Sequence, residues 1–328
     1  MKVLFIGGTG NISTASSKMV IEKGWDLYLL TRGKSPHIPD GAHILKADIN
    51  DVGKVETLLQ DRYFDVVVNW VAFGPKDIER DYELFKEKTD QYVFISSASC
   101  YQKPLSHPVI TESTPLANPF WDYSRQKIAC EDRLMSLYRE KGFPITIVRP
   151  SLTYETVIPV PIGGWTEYTI VDRIKKGKKI IIHGDGSSLW TITHAHDFAI
   201  GFTGLLGHQQ AIGQSFHITS DEMLTWNQIY EAVALAAGKK AEKVYIPSDY
   251  LGTFDDHLRG SLLGDKAVST IFDNSKIRRF VPEFNPTIRF KDGIRNTIRW
   301  FEEEPDRMII KDETNAFMDR IINAYTRP

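Results

Sequence analysis

The stretch MKVLFIGGTGNIS, residues 1–13, joins an apolar run to a glycine-rich segment. Residues 3–6 are continuously apolar, as is typical of a strand buried on both faces of a parallel sheet. Gly7, Gly8 and Gly10 follow directly, and a helical pattern begins after them. This order predicts a strand, a tight turn without Cβ atoms, and a helix whose N-terminus favours negative charge. The expected ligand is the pyrophosphate of a dinucleotide, although glycines in any tight strand-to-helix turn produce the same pattern.

The bulk composition narrows the class of protein. The chain has 328 residues, 42% of them hydrophobic and 25% charged, and a net charge of -2. This length suggests two domains or one large domain with an appended lobe, and the charge favours neither a nucleic acid nor a membrane surface as partner. Cys100 and Cys130 have no metal-site or disulfide spacing, which fits a reducing cytosol. With no signal-peptide pattern and no apolar run near the ~20 residues that span a bilayer, we expect a cytoplasmic protein.

Strand and helix patterns alternate along the first 150 residues. After the first strand, further strands are predicted at 27–30, 42–47, 66–71, 92–95 and 145–148, and helices at 14–23, 52–60, 78–88 and 123–141. Such alternation predicts the α/β class with a doubly wound parallel sheet. We therefore expect a Rossmann dinucleotide-binding domain over residues 1–150, to which about 184–220 return, and a smaller α+β substrate lobe over 151–328.

The residues after the second predicted strand bear on the choice of cofactor. An acidic residue ~20 positions beyond the glycines normally binds the ribose hydroxyl of NAD. Thr31 stands there instead, followed by Arg32 and Lys34. Because two cations suit a 2′-phosphate, NADP is the preferred cofactor and NAD the alternative, since the same cations also fit a solvated loop. Asp48, after the third strand, is a candidate for the adenine amine or for the cap of helix 52–60.

Two groups of residues are candidates for catalysis. The segment ISSASCY, residues 95–101, places serines at the carboxyl end of a central strand, where ligands of parallel sheets bind. Tyr123 and Lys127 lie four positions apart on one face of a predicted helix. We expect the ammonium group to lower the pKa of the phenol from about 10 toward neutrality. Tyr123 is therefore a candidate acid/base, although an ordinary amphipathic surface also fits this pair.

Other polar and aromatic residues have alternative interpretations. His194, His196 and Asp197 contain the residue types of a metal site. Two imidazoles at positions i and i+2 do not share a helical face, so we expect capping or core roles and no metal. Three tryptophans predict an aromatic-lined pocket if they face it, and otherwise fit the core; they are Trp121, Trp165 and Trp190.

Together these motifs resemble the extended short-chain dehydrogenase/reductase family, in its epimerase/dehydratase branch, over residues 1 to about 305. The motifs that carry the resemblance are Gly7-x-x-Gly10, Asp48, residues 69–72, Ser97, Tyr123-x-x-x-Lys127, Arg149-Pro150, Gly184-Asp185-Gly186, His194-x-His196-Asp197 and the segments 273–279 and 290–300. The resemblance implies that the protein is an NAD(P)-dependent epimerase or oxidoreductase. Its expected substrate is a small molecule, such as a sugar, with a carbinol or ketone.

The resemblance also assigns roles to individual residues. It implies that Tyr123 exchanges a proton with the substrate oxygen, that Ser97 donates to the same oxygen, and that Lys127 holds the nicotinamide ribose. Ser97 is chosen over its neighbours because it lies four residues before Tyr101, the position that the family uses. The implied cofactor-binding set is Gly7, Thr9, Gly10, Asn11, Ile12, Thr31, Arg32, Asp48, Ile49, Val71, Ala72, Tyr123, Lys127 and Pro150.

Three departures from the family pattern restrict the expected activity. Dehydratases carry an acidic pair where Ala98 and Ser99 stand, so dehydration is disfavoured. Sugar-nucleotide epimerases usually have an arginine that clamps the diphosphate at the position of Trp190, which argues against a nucleotide-sugar substrate. The crossover between Val71 and Tyr92 lacks the extra helix that forms half of the usual dimer bundle. We therefore expect a monomer or a non-standard homodimer.

The departures point to a divergent subgroup similar to chloroplast stem-loop-binding and isoflavone reductase-like proteins. Because the former bind RNA, the alternative function is that of a non-catalytic or RNA-binding scaffold. The net charge of -2 weighs against this alternative. It leaves open a local basic cluster, for which the candidates are Arg173, Lys175, Lys176, Lys178 and Lys179.

Overall fold

The computed structural model describes residues 1–326, which contain fourteen strands and twelve α-helices. The strands are β1 (Lys2–Ile6), β2 (Asp26–Thr31), β3 (His43–Lys46), β4 (Val66–Asn69), β5 (Tyr92–Ile95), β6 (Val109–Ile110), β7 (Ile145–Pro150), β8 (Leu152–Tyr154), β9 (Lys179–His183), β10 (Leu189–His194), β11 (Gln214–Ile218), β12 (Met223–Thr225), β13 (Glu242–Ile246) and β14 (Ile271–Phe272). The helices are α1 (Asn11–Glu22), α2 (Val52–Leu59), α3 (Pro75–Phe85), α4 (Asp122–Lys141), α5 (Thr169–Lys175), α6 (Ala195–Leu205), α7 (Trp226–Ala236), α8 (Ser248–Leu251), α9 (Asp256–Ser261), α10 (Ser275–Phe280), α11 (Phe290–Glu303) and α12 (Asp312–Thr326). A π-helical turn, Leu262–Lys266, follows α9.

Seven strands form one parallel sheet in the order β11-β7-β5-β4-β1-β2-β3. Because side chains alternate between the two faces of a strand, β1 contributes to two cores. Leu4 and Ile6 belong to the core shared with α2, α3 and α4, whereas Val3 and Phe5 belong to the core shared with α1 and α6. Helices thus cover both faces, and the predicted α/β doubly wound sheet is confirmed.

The chain after β7 builds a second, smaller set of layers. A three-stranded sheet has the order β12-β10-β8, and β13 pairs with β9. Their apolar side chains share a core with α5, α7, α11 and α12. In between, α6 packs on α1 and β11 joins the edge of the central sheet beside β7. The chain therefore leaves the central layers after β7, returns to them with α6 and β11, and returns again with α10, which packs on both of these elements.

Some elements differ from the sequence-based predictions. The sequence pattern predicts a helix over about 165–176, but the helix begins only at Thr169, because Trp165 has a positive φ of 61° and pairs with Ile158 in an isolated bridge. The pattern also predicts Ile310 on the apolar stripe of a C-terminal helix, whereas Ile310 precedes α12 and is exposed. Within residues 1–326, every helix is too short or too polar to cross a bilayer.

Candidate active site

A cleft of about 1490 Å³ lies at the carboxyl end of the central sheet. One wall comes from the glycine turn and from the residues that follow β5, and the other comes from the chain after β7. Pockets for one drug-sized ligand measure roughly 300–1,000 Å³. The cleft is therefore large enough for a dinucleotide together with a second small molecule.

The glycines of the turn meet two different structural requirements, close packing at Gly8 and open space in the cleft at Gly10. Gly7 and Gly8 have φ angles of +94° and +92°, a region that glycine adopts easily and other residues do not. A Cβ on Gly8 would lie 2.7 Å from Leu29 Cδ2, so this glycine is needed for packing. Gly10 has an extended backbone, and a Cβ there would meet only Ser13 Oγ, at 3.5 Å. Since Gly10 lines the cleft, its missing Cβ leaves open the space that a ligand would fill.

The start of α1 supplies backbone donors to the same wall. The cleft-lining residues of this turn are Thr9, Gly10, Asn11 and Ile12. First-turn N–H groups have no intrahelical acceptor and favour an anion. Ser13, in place of a third glycine, accepts the Gly10 N–H at 2.8 Å. The Asn11 side chain donates to the Thr153 carbonyl at 2.8 Å and accepts the Thr156 N–H at 3.3 Å, so it ties the start of α1 to the chain after β7.

Ser97 and Tyr123 both line the cleft. Ser97 follows β5 by two residues, and Tyr123 is the second residue of α4. Burial around the hydroxyl raises the pKa of Tyr123 to about 12, while a hydrogen bond with Ser97 acts in the lowering direction. The Lys127 Nζ lies 5.9 Å from the Tyr123 ring centroid. The predicted lowering of the phenol pKa was wrong for this arrangement of groups, because desolvation outweighs the influence of the ammonium.

The Lys127 ammonium is fixed at the base of the cleft. Its Nζ donates to the carbonyl oxygens of Ala72 at 2.7 Å and Ile95 at 2.9 Å, and it lies 4.8 Å from the ring centroids of both Phe73 and Phe94. Burial lowers the pKa of Lys127 to about 8. An ammonium group has three donors, so one N–H remains for a ligand in the cleft.

Two serines to which the sequence analysis gave no role in catalysis, Ser99 and Ser124, connect to Ser97. The Ser97 and Ser99 hydroxyl oxygens are 2.9 Å apart, and Ser124 Oγ donates to Ser99 Oγ at 2.7 Å. Ser124 is next to the candidate acid/base in sequence, which is the one signal that pointed to it. Its contact with Ser99 joins α4 to the segment after β5 and has no signature in the sequence.

The residues expected to select the cofactor lie on the loop after β2. Thr31 is half-buried at the end of that strand, and both Arg32 and Lys34 are exposed. From the same loop, Pro36 and His37 line the cleft. The two cations therefore stand on the surface of a loop that reaches the cleft.

Asp48 is exposed, and its Oδ1 accepts the backbone and side-chain N–H groups of Asn50 at 3.0 and 3.1 Å. The alternative role of Asp48 as a helix cap was wrong, because Asp51 caps α2 by accepting the Lys54 N–H.

The other implied cofactor residues have different surroundings. Pro150 lines the cleft, Val71 is exposed, and Ile49 and Ala72 are buried.

The far end of the cleft is aromatic and carries both signs of charge. All three tryptophans singled out above, Trp121, Trp165 and Trp190, line it. Trp190 is almost fully buried, and its ring centroid lies 5.7 Å from that of Trp226. The ionisable residues nearby are Asp255, His257, Asp265 and Lys266. This end of the cleft fits a small molecule with apolar and hydroxyl surfaces.

The His194-x-His196-Asp197 segment starts a helix. His194 Nδ1 accepts the His196 N–H at 3.2 Å, and Asp197 Oδ2 accepts the Ile288 N–H at 2.9 Å. These contacts are capping and core contacts. In the part of the chain that the structure describes, His, Cys, Asp and Glu side chains form no group of three that could hold a metal ion.

Comparison with known proteins places this site in a family. The model of the NAD dependent epimerase/dehydratase family matches residues 3–219. Chloroplast stem-loop binding protein of 41 kDa b from Arabidopsis thaliana is 29% identical over 265 residues, which cover 76% of this chain and 67% of that protein. The 2'-dehydrokanamycin reductase of Streptomyces kanamyceticus is 23% identical over 256 residues, with 76% and 70% coverage.

Solved structures share the fold. An epimerase from Methanothermobacter thermautotrophicus has a TM-score of 0.76 at 19% identity and 94% coverage of both chains. UDP-glucose 4-epimerase from Bifidobacterium longum, solved with NAD+ and UDP, has a TM-score of 0.74 at 17% identity, covering 94% of this chain and 100% of that one.

The residues on the cleft fit a dinucleotide. Gly10 leaves space beside the first turn of α1, and Lys127 keeps one donor for a ligand. The family match spans the glycine turn and every residue of the Ser97, Tyr123 and Lys127 group. The chain therefore belongs to the NAD-dependent epimerase/dehydratase family, a family of enzymes.

Proposed function

We propose that the protein is an NAD(P)-dependent oxidoreductase or epimerase that acts on a carbinol or ketone of a small molecule. The observation that carries this proposal is the convergence of Ser97, Tyr123 and Lys127 on one cleft. The same cleft is lined by the glycine turn, whose first-turn N–H groups have no intrahelical acceptor. A nucleotide and a substrate held in this cleft would meet at the Tyr123 hydroxyl.

Each side chain has a separate task in this proposal. When bound, the nicotinamide supplies a hydride acceptor or donor. Tyr123 takes the proton from the substrate oxygen or returns it, a role worth roughly 10²–10⁴-fold in rate. Ser97 donates a hydrogen bond to the same oxygen. Lys127, oriented by two carbonyls, directs its third N–H to the nicotinamide ribose, and its charge favours the tyrosinate.

NADP is the cofactor that we propose, with NAD as the alternative. Arg32 and Lys34 are exposed on the loop after β2, where a 2′-phosphate would find two cations and no carboxylate. The alternative draws support from the family description, which names NAD. One fold neighbour was also solved with NAD+.

The chain after residue 150 is proposed to act as the substrate lobe. Trp190 stands where a diphosphate clamp would need a cation, so we propose a substrate without a nucleotide diphosphate. One relative is named 2'-dehydrokanamycin reductase, which supports a hydroxylated ring as the chemical class. Ala98 and Ser99 provide neither the acid nor the base of a dehydratase.

The nucleotide that accompanies the purified protein tests this proposal. Denaturation of fresh and dialysed protein, followed by mass and absorbance analysis, would identify any released nucleotide. A stoichiometric nucleotide that survives dialysis supports an epimerase, since an epimerase keeps its cofactor through the cycle. Reversible binding of added NADP or NAD supports an oxidoreductase. A protein that binds neither contradicts the proposal.

RNA binding is a second candidate function, favoured by a lysine-rich hollow. Its lining includes Lys175, Lys176, Lys179, Lys239 and Lys240. Arg173, which we had placed in the same cluster, is buried and pairs with Asp319 at 2.6 Å. One relative is named a stem-loop binding protein. Salt-dependent retardation of a stem-loop RNA, lost in the double variant Lys239→Glu/Lys240→Glu, would support this function.

We propose further that the protein is a cytoplasmic monomer, with a non-standard homodimer as the alternative. The crossover between β4 and β5 contains one helix, α3, of 11 residues. Arg133 of α4 pairs with Glu79 of α3 at 2.5 Å, so these two helices already contact each other. The two free cysteines are buried, which suits a reducing compartment. Light scattering of the eluting protein measures its mass and so tests the monomer.

A further inference from the structure

Three serine hydroxyls form a continuous hydrogen-bonded chain that leads to the cleft lined by Tyr123. Ser124 Oγ, which is fully buried, donates to Ser99 Oγ at 2.7 Å. Ser99 Oγ lies 2.9 Å from Ser97 Oγ. The Ser99 N–H also points to Ser97 Oγ, at 3.2 Å. Ser97 lines the cleft together with Tyr123, and its hydroxyl acts to lower the pKa of the Tyr123 phenol.

The hydrogens in this chain have one consistent direction. A hydroxyl has a single hydrogen to donate. Ser124 gives its hydrogen to Ser99, so the Ser99 hydrogen is free to point at Ser97. Ser97 Oγ then accepts from both the hydroxyl and the N–H of Ser99, and its own hydrogen is left for an oxygen on the cleft side.

Ser99, the middle serine of the hydrogen-bonded chain, is also held in place through its backbone. Asn118 Nδ2 donates to the carbonyl of Ser99 at 2.9 Å and to the carbonyl of Gly264 at 2.7 Å. Gly264 belongs to the π-helical turn, so the side-chain amide of Asn118 links that turn to the serine segment. Ser99 is therefore fixed through its backbone, and its hydroxyl has little freedom to turn away from Ser97.

We propose that Ser99 and Ser124 are positioning residues that orient the Ser97 hydroxyl as a donor to the reacting oxygen. The inference rests on the proposed function, because it takes Tyr123 as the acid/base and Ser97 as its hydrogen-bonding partner. It adds that two serines which contact neither proton nor hydride set the direction of the Ser97 hydrogen. Ser99 stands where dehydratases of the family carry an acidic residue. In this protein it thereby has a role that needs no carboxylate.

The pKa of Tyr123 can be measured without a substrate, and it therefore reports on the hydrogen-bonded serines. The titratable groups that face the phenol are Cys100 after β5, Lys127 on α4 and Asp265 in the π-helical turn. Replacing a serine hydroxyl changes none of these three. If the Ser97 hydrogen stabilises the tyrosinate, removing the Ser99 hydroxyl raises the pKa of Tyr123.

The experiment is a pH titration of tyrosinate absorbance in protein saturated with NADP+ or NAD+, whichever binds. The Tyr123→Phe variant is titrated in parallel, and the difference isolates Tyr123. Ser99→Ala is expected to raise the apparent pKa by about 0.5 to 1, and Ser99→Thr to restore it. Ser124→Ala is expected to give a smaller rise in the same direction. Ser136→Ala, on the exposed face of α4, is the control and leaves the titration unchanged.

Two results would overturn the inference. One is a Ser99→Ala titration that coincides with the wild type while nucleotide affinity and circular dichroism are unchanged. Another is failure of Ser99→Thr to restore the wild-type value. If Ser99→Ala does not fold, Ser124→Ala decides by the same comparison. By contrast, wild type and Tyr123→Phe that titrate identically would contradict the proposed function itself, and the inference would fall with it.

Discussion

Arg149 and Glu131 form a bidentate ion pair behind the segment of the cleft that carries Ser97. Arg149 Nε lies 3.0 Å from Glu131 Oε1, and its Nη2 lies 2.6 Å from Oε2. Their side chains are only 6% and 3% exposed. The Ser96 hydroxyl donates to the same carboxylate. The pair therefore joins β7 and α4 to the segment that carries Ser97.

Arg149→Met is expected to lower the free energy of unfolding by about 3–5 kcal/mol, because it leaves a buried carboxylate without a partner. The double variant Glu131→Leu/Arg149→Met should recover much of that loss. Urea denaturation measures both. The matched control is Arg133→Met, which breaks the exposed pair with Glu79 and should cost about 1 kcal/mol or less. Equal losses at the two arginines would contradict a special role for the buried pair.

Tyr123→Phe is expected to lower turnover by roughly 10²–10⁴-fold, because it removes the group that exchanges the proton. Nucleotide affinity should stay nearly unchanged, since the ring and its contact with Trp121, 4.9 Å between centroids, are kept. Steady-state assays on the identified substrate and nucleotide titrations measure the two effects. The control is Tyr245→Phe, whose exposed hydroxyl bonds to Asn227. Activity retained in Tyr123→Phe would remove Tyr123 from the catalytic group.

The sequence pattern predicts the central sheet well because its strands are locally encoded. β4 and β5 are fully buried and apolar except for Asn69 at the end of β4, and β1 ends at glycines whose positive φ angles permit the turn. β10 was not predicted. Its residues alternate between apolar and hydroxyl side chains, and its partners β8 and β12 lie far away in the chain. Pairing of that kind is decided by tertiary packing.

Within the site too, features set by local sequence are predictable, whereas contacts set by tertiary packing are not. Tyr123 and Lys127 are predictable as a pair because helical periodicity places them on one face. The contact of Ser99 with Ser124 depends on how α4 docks beside β5, so no local period reveals it. The direction of the Tyr123 pKa shift was also mispredicted. Spacing shows that a lysine is near, but it does not show that two carbonyls hold the ammonium or how far the phenol is desolvated.

Lys127 is expected to make stability rise with pH. Burial lowers the pKa of Lys127 in the folded protein to about 8, whereas an unfolded lysine titrates near ~10.4. Between these values the unfolded chain binds more protons, so raising the pH favours the folded state. From pH 8 to 10, the unfolding free energy of the wild type should gain up to about 3 kcal/mol relative to Lys127→Met. Urea denaturation across this range measures the difference.

The exposed Lys54 provides the control for this titration. Lys54→Met, which removes an exposed ammonium group from α2, is measured over the same pH range as the reference. Tyr123 is present in all three proteins, so its own titration largely cancels. A constant difference between the wild type and Lys127→Met would mean that Lys127 keeps the pKa of a solvated lysine.

Arg32→Ala is expected to weaken NADP binding about 10-fold or more while changing NAD binding by about 2-fold or less. The reason is that a charge-assisted hydrogen bond to the 2′-phosphate exists only with NADP. Fluorescence or calorimetric titration of both nucleotides measures the two dissociation constants. Lys54→Ala, which removes an exposed cation on α2, should alter neither. Equal weakening of NAD and NADP by Arg32→Ala would show that Arg32 does not bind the phosphate.

Gly8 and Gly10 offer a matched pair that separates folding from nucleotide binding. Gly10→Ala should change the free energy of unfolding by less than about 1 kcal/mol, because its backbone is extended and its Cβ would make one ordinary contact. The new methyl group would occupy the cleft, so nucleotide affinity should fall about 10-fold or more.

Gly8→Ala should give the opposite result. Its φ of +92° and the 2.7 Å approach to Leu29 predict a loss of about 1–3 kcal/mol in the free energy of unfolding. The folded fraction should still bind nucleotide, because the strain falls between β1 and β2. Denaturation curves and nucleotide titrations on both variants decide between the two roles. If Gly10→Ala unfolded easily and still bound nucleotide, Gly10 would be a residue of the fold, and the cleft wall beside α1 would lose its assignment as the pyrophosphate site.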